Sequence, residues 1–242
     1  MNLPALGSSS VVAGAKLLLA AVSPFQSLFD HPGITHEFCN RQALQILSTD
    51  GLNNYAQFLA AHIAHINAGV YWADKGWKNV SHYFEPLTGK GLWQFANAID
   101  DFSGYYQRAL SHARSGNYSK AAFFLGAAAH LVQDLCVPHH ARAKVFNGHK
   151  EFEGWVRQNY ARYVVTGNGR YNDTLNSTSV LYGNAAVAAD LYDWVNLDQG
   201  GTDYHEAAGI LLPLAQRSTA GLFQQFCAAV GTVHNLQVIT VA

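Results

Sequence analysis

The chain has 242 residues but only three cysteines, Cys39, Cys136 and Cys227, and these are scattered along nearly its whole length. Three cannot all pair and none forms a CxxC spacing, which excludes a multi-disulfide scaffold and a zinc ribbon and leaves one disulfide open; isolated thiols in apolar surroundings are most simply buried. Charge is equally scarce. Asp, Glu, Lys and Arg make up 13% of residues, with a formal net charge of −1, so neither a basic surplus for nucleic acid nor an acidic tail is present. No apolar run is long enough to span a bilayer: residues 11–22, "VVAGAKLLLAAV", are too short and are interrupted by Lys16. No phosphate-cradling Gly-rich loop and no Gly-x-Ser-x-Gly elbow appears, which leaves nucleotide binding and serine hydrolysis without a foothold. Repeats and low-complexity segments are absent, and alternating β patterns are scarce.

What is present is apolar material, 49% of residues, enough for one sizeable core. Most of it is patterned for helices. The candidates are "THEFCNRQALQILS", "NYAQFLAAHIAHINAGVYWA" read as one continuous helix, "GLWQFANAIDDFSGYYQRALSHARSG" and "YSKAAFFLGAAAHLVQDLC" ended by Pro138. "GHKEFEGWVRQNYARYVV", "VLYGNAAVAADLYDWV" and "YHEAAGILLPLAQRSTAGLFQQFCAAV" follow, with a polar loop over 166–179. The expected fold is all-α, a single-domain bundle of seven or more helices. Residues 1–23 read as a secretory leader, with an ordinary buried or surface helix as the alternative, and the mature protein is expected to be soluble.

Histidine is the abundant residue, twelve in all, and four of these fall within residues 130–153, "HLVQDLCVPHHARAKVFNGHKEFE". His130 and Asp134 stand four apart on a helical stretch, hence on one face, and His149 and Glu153 repeat the relation on the next. Pro138 lies between them and offers His139 and His140 in the connecting turn. One such His/acid pair is weak evidence. Two pairs flanking a Pro-His-His turn point to a metal, because a rigid helical turn supplies imidazole and carboxylate ligands with little ordering cost.

The block "AAFFLGAAAHLVQDLCVPHHA" with "GHKEFEGWV", joined upstream by "YWADKGWKNVSHYFEP" and "THEFCNRQAL", resembles the bacterial zinc-dependent phospholipases C. Their superfamily also holds single-strand-specific fungal nucleases. The resemblance runs from about residue 30 to 230 and implies a catalytic domain over 24–242 with a tri-zinc cleft and no added membrane-binding domain. It implies one zinc on Asp74, His82, His130 and Asp134, a second on His140, His149 and Glu153, and a third on His36 with Asp134 as bridge. In the family an N-terminal tryptophan completes the third site. Here no tryptophan precedes Trp72, and Asp30 or His31 are the substitutes at hand.

The same resemblance implies hydrolysis of glycerophospholipids to diacylglycerol and a phosphorylated headgroup, with Asp74 as ligand and general base. It implies a secreted or periplasmic monomer that meets phospholipid at a membrane or micelle surface, without a nucleic-acid partner or a transmembrane anchor. The family's headgroup aromatics correspond to Lys75 and Asn79, and Trp72 and Trp77 are the nearest rings able to replace them. His62, His65, His112, His205 and His234 read as ordinary histidines, and Tyr71, Trp72, Trp93, Tyr105 and Trp155 as core. Two competing functions stay open: a nuclease or phosphomonoesterase on the same scaffold, and a metal-stabilised helical protein without hydrolase activity.

Overall fold

A computed structural model describes residues 33–92, 97–171, 177–199 and 203–234, so the leader segment, Asp30, His31 and Trp93 lie outside the described residues. The described chain is helical, with a single isolated bridge, Glu85 to Lys90. No described helix is long and apolar enough to cross a membrane.

At the centre lies α5, Tyr118–Asp134, preceded by α1 (Ile34–Thr49), α2 (Asn53–Ala60), α3 (Ile63–Ala73) and α4 (Ala98–Arg114). The Asn117 side chain caps α5 by accepting the Lys120 N–H at 3.1 Å. From Leu125 onward every residue of α5 is buried, as a helix apolar on all sides must be. α3 and α4 both pack on it. The α3 crossing is very close, because Gly69 and Gly126 each face a carbonyl of the other helix. After α5 come α6 (Pro138–Ala141), α7 (His149–Asn159), α8 (Ser179–Asp190), α9 (Tyr192–Val195) and α10 (Tyr204–His234), which packs on α1, α5 and α8.

Three expected boundaries shift. The segment read as one helix over 54–73 breaks at Ala61–His62, where His62 leaves helical geometry (φ −115°, ψ 11°) and its ring contacts Phe58 and Tyr118. Neither residue is a breaker by propensity, so tertiary packing decides. The helix expected from Gly91 begins instead at Ala98, because Asn97 accepts the N–H groups of Ile99 and Asp100. Pro138 does not end α5. That helix stops at Asp134, and Pro138 occupies the first position of α6, where its missing N–H costs nothing. The three cysteines are free thiols, all buried; Cys39 and Cys136 share a small apolar cluster with Ala208, Leu212 and Ala215.

Candidate metal centre

Five helices aim their ends or faces at one point. α1 delivers His36 from its first turn, and α3 delivers Asp74 as its C-cap residue. A 3-10 turn over Gly76–Ser81 then returns His82, α5 contributes His130 and Asp134 one turn apart, α6 brings His140, and α7 begins with His149 and carries Glu153.

Asp134 is the hub. Its Oδ2 lies 2.8 Å from His82 Nδ1, 3.1 Å from His130 Nε2 and 4.0 Å from His140 Nδ1, and its Oδ1 lies 3.6 Å from His36 Nε2. A few ångströms away Glu153 Oε1 sits 2.9 Å from His149 Nε2 and 3.6 Å from His140 Nε2. Three sets of donors gather within 4.8 Å: His36, His130 and Asp134; Asp74, His82 and His130; His140, His149 and Glu153. All eight residues singled out in the sequence are therefore brought together, on segments as far apart as residues 36 and 153.

This donor set fits divalent cations. Ligands bound to one tetrahedral zinc at roughly 2 Å stand about 3.3 Å apart, so the sets need only slight contraction. Moreover, Asp134 Oδ2, His82 Nε2 and His130 Nδ1 are buried without an aligned hydrogen-bond partner. Each such atom costs about 1–3 kcal/mol unless something else satisfies it; a cation held by Asp134 Oδ2 with His82 Nδ1 and His130 Nε2, the ring nitrogens that face it, satisfies the carboxylate oxygen.

The electrostatics follow the crowding. Burial pushes the Asp74 carboxyl up to about 6, reinforced by Asp134 and opposed by His36 and His82. Burial acts the same way on Asp134, but His130 and His140 outweigh it and hold that carboxyl well below its usual range. Burial lowers His36 and His130, favouring the neutral imidazoles that metals bind.

Three residues support the cluster, and of these the sequence offers only His139, beside His140 in the connecting turn. Gln133, buried on α5, accepts from His36 Nδ1 at 2.8 Å through Oε1, while its Nε2 donates to Asn40 Oδ1 and Thr219 Oγ1, both at 3.0 Å. A proton fixed on Nδ1 leaves the His36 Nε2 lone pair facing Asp134. His139, fully buried beside the cluster, donates from Nε2 to the Asn147 carbonyl (3.1 Å) and stacks on His149 at 4.9 Å. Tyr83 stacks similarly on His140 at 4.5 Å. Gln amid an apolar helical run was the one available signal for Gln133, the Pro-His-His turn marked His139, and nothing marked Tyr83.

His62 and His65 take no part in the cluster. Lys75 and Asn79 are exposed near it. Trp72 is partly buried against Tyr105, Phe123 and Phe124 with Lys78 Nζ 4.7 Å from its ring, so of the two rings considered as headgroup aromatics Trp77, 49% exposed, is the more open to solvent.

Comparison with known proteins agrees with this geometry. The family model described as zinc dependent phospholipase C matches residues 35–203. A phospholipase C of Clostridium perfringens is 25% identical over 231 residues, covering 79% of this chain and 58% of that protein. One from Clostridium novyi is 27% identical over 172 residues, covering 60% and 43%. The chain thus spans less than two thirds of the length of these relatives. The same fold occurs in the alpha toxin of Clostridium absonum (TM-score 0.72, 22% identity, 84% of this chain, 64% of that one) and in the alpha-toxin of an avian Clostridium perfringens strain (TM-score 0.71, 22% identity). With about 70% of its length matched by the family model, on a helical scaffold that gathers three donor sets around Asp134, this chain belongs to the zinc dependent phospholipase C family.

Proposed function

We propose that the protein is a zinc-dependent phosphodiester hydrolase that cleaves glycerophospholipids to diacylglycerol and a phosphorylated headgroup. The observation that carries this reading is the sharing of one buried carboxylate, Asp134, among histidines from four separate segments, with a second acid–imidazole set beside it. We assign His36, Asp74, His82, His130, Asp134, His140, His149 and Glu153 as ligands for up to three zinc ions. When bound, such ions lower the pKa of a water molecule towards neutrality and offset charge building on phosphate oxygens.

The chain's residues supply the rest. Asp134 stays ionised and holds the imidazoles around it in one arrangement. Asp74, the carboxylate that joins His82 and His130 in the second donor set, lies beside the space a metal-bound water would occupy, and we assign it the general-base role. As the water oxygen bonds phosphorus its proton passes to Asp74, the bond from phosphorus to the diacylglycerol oxygen breaks on the opposite side, and that oxygen takes a proton from solvent to leave as the alcohol. Burial of Asp134, His82 and His130 keeps competing hydrogen bonds from bulk water away from these three groups. A lipase of this kind threatens its own cell's membranes, which places it outside the cytoplasm, secreted or periplasmic.

The test is hydrolysis of a short-chain phosphatidylcholine and of single-stranded DNA by the same zinc-loaded sample, with Asp74→Asn alongside. Cleavage of the lipid alone, reduced at least ~100-fold in the variant, is expected. Cleavage of DNA alone would assign the scaffold to nuclease chemistry, and cleavage of neither would leave a metal-stabilised helical protein.

A further inference from the structure

Two loops run out from the metal cluster, and each ends in a bulky apolar side chain held in water. The first is the turn from Glu85 to Lys90, three residues beyond His82, with Leu87 at its tip and 85% exposed. The second is the segment 143–147, which joins His140 to His149 and presents Phe146, 76% exposed. They are neighbours, since Gly91 and Leu92 share one surface pocket with Lys144, Val145 and Phe146. Tyr182 and Leu197, also exposed, stand nearby: Tyr182 packs on Phe84, and Leu197 N–H donates to the Asn147 carbonyl.

These tips are built rather than loose. The Glu85 carboxylate accepts the Thr88 N–H at 2.8 Å, Glu85 and Lys90 bond through their backbones at 2.8 Å, and Glu85 pairs with Arg142 at 3.6 Å, tying one loop to the other. The second loop begins and ends in left-handed residues, Ala143 (φ 50°) and Asn147 (φ 64°), neither of them glycine. Such conformations persist only where the surroundings enforce them. Here the enforcement comes from Lys144 N–H on the His139 carbonyl and from His139 and Leu197 on the Asn147 carbonyl.

We infer that Leu87 and Phe146 form a docking surface for an anionic phospholipid bilayer, the two side chains entering the headgroup region while Lys90 and Lys144 meet lipid phosphates. Both lysines are exposed and flank the apolar tips. Separate protruding side chains, each with one lysine close by in sequence, suit a soft lipid interface, where each buries its own area, whereas a protein partner calls for a broad complementary face; the nearest carboxylates are engaged, Glu85 with Arg142 and Asp198 with the Asn147 amide. The choice of lipid rests on the phospholipase reading, and rigid presentation lowers the ordering cost of seating.

Binding is measured by stopped-flow energy transfer from the protein's five tryptophans to dansyl-labelled phosphatidylcholine–phosphatidylserine vesicles, fast enough to precede hydrolysis. Leu87→Ser/Phe146→Ser weakens partitioning on the order of 100-fold, about tenfold for each side chain. Lys90→Glu/Lys144→Glu weakens it by about 25-fold or more, and only on anionic vesicles. Both variants retain the wild-type melting temperature and cleave dispersed short-chain phosphatidylcholine at the wild-type rate. Unchanged vesicle binding in the double serine variant overturns the proposal. So does a wild-type protein that ignores vesicles, or one whose dimer dissociates on this substitution, which would make the patch a protein interface. Failure of the phospholipase reading registers separately, as vesicle binding without hydrolysis of either lipid form.

Discussion

Gly126→Ala adds one methyl group where α3 crosses α5. A Cβ built at Gly126 stands 1.9 Å from the Ile66 carbonyl oxygen, and one at Gly69 stands 1.8 Å from the Phe123 carbonyl oxygen, whereas real Cβ contacts do not fall below 3.0 Å. Both obstacles are backbone, so no side chain can swing aside, and the helices must part by about 1 Å. Overpacking on that scale costs at least about 3 kcal/mol, against roughly 1 kcal/mol gained because alanine is the better helix former. The net loss of about 2 kcal/mol lowers the melting temperature by roughly 4–8 °C. It also moves Asp74, at the end of α3, relative to His130, one turn beyond Gly126, and a 1 Å misplacement costs on the order of 100-fold in rate. Gly104→Ala is the control. It lies in α4 with nothing within 4 Å of the added atom, so the same substitution there stabilises by about 1 kcal/mol. Calorimetry and phosphodiesterase activity read both effects. If Gly126→Ala raised the melting temperature as Gly104→Ala does, the close crossing and its link to the cluster would be refuted.

Three further outcomes are expected. Gln133→Leu, which removes the acceptor from His36 Nδ1, lowers the zinc content by one ion per chain, while Gln133→Glu keeps it; equal content in both variants would show that Gln133 does not orient His36. Chelation lowers the melting temperature by an amount equivalent to at least about 3 kcal/mol, since the metals tie five helices and the turn before His82 together, and an unchanged melt after complete removal would contradict this. Asp50, although partly desolvated, accepts from Gly169 N–H, Tyr171 O–H and Asn168 N–H near Arg217, so its carboxyl lies below the usual value. Its contribution is therefore complete above the unfolded value of 3.8 and fades as pH falls through the lower folded value. Urea melts should separate wild type from Asp50→Asn most near neutrality, with the difference shrinking progressively as pH falls below 3.8; a constant difference would argue against the shift.

The helical character and the two His/acid pairs were legible because they depend on spacing within one helix: His130 with Asp134 and His149 with Glu153 share faces whatever the rest of the chain does. The gathering of His36, Asp74 and His82 onto the same point depends on how α1 and α3 pack against α5, and no local pattern encodes that. Only the resemblance to a family supplied it. The break at His62 was invisible because Ala and His are both tolerated in helices, and Pro138 was misplaced because proline starts a helix as readily as it stops one. Gln133 and His139 act through hydrogen bonds and stacking on other residues. A sequence shows their polarity but not their partners, and His139 next to His140 differs from it only in which way the short α6 turns each ring.

Everything returns to whether cations occupy the space around Asp134. The most direct measurement is zinc per chain in the purified protein, by mass spectrometry of the metal, for wild type and for Asp134→Ala. Three donor sets, one of which includes that carboxylate, predict more than one zinc per chain in the wild type, with the variant retaining the ion at His140, His149 and Glu153 and losing what Asp134 holds. A wild-type protein with no stoichiometric zinc after loading, or a variant whose content equals the wild type's, would contradict it.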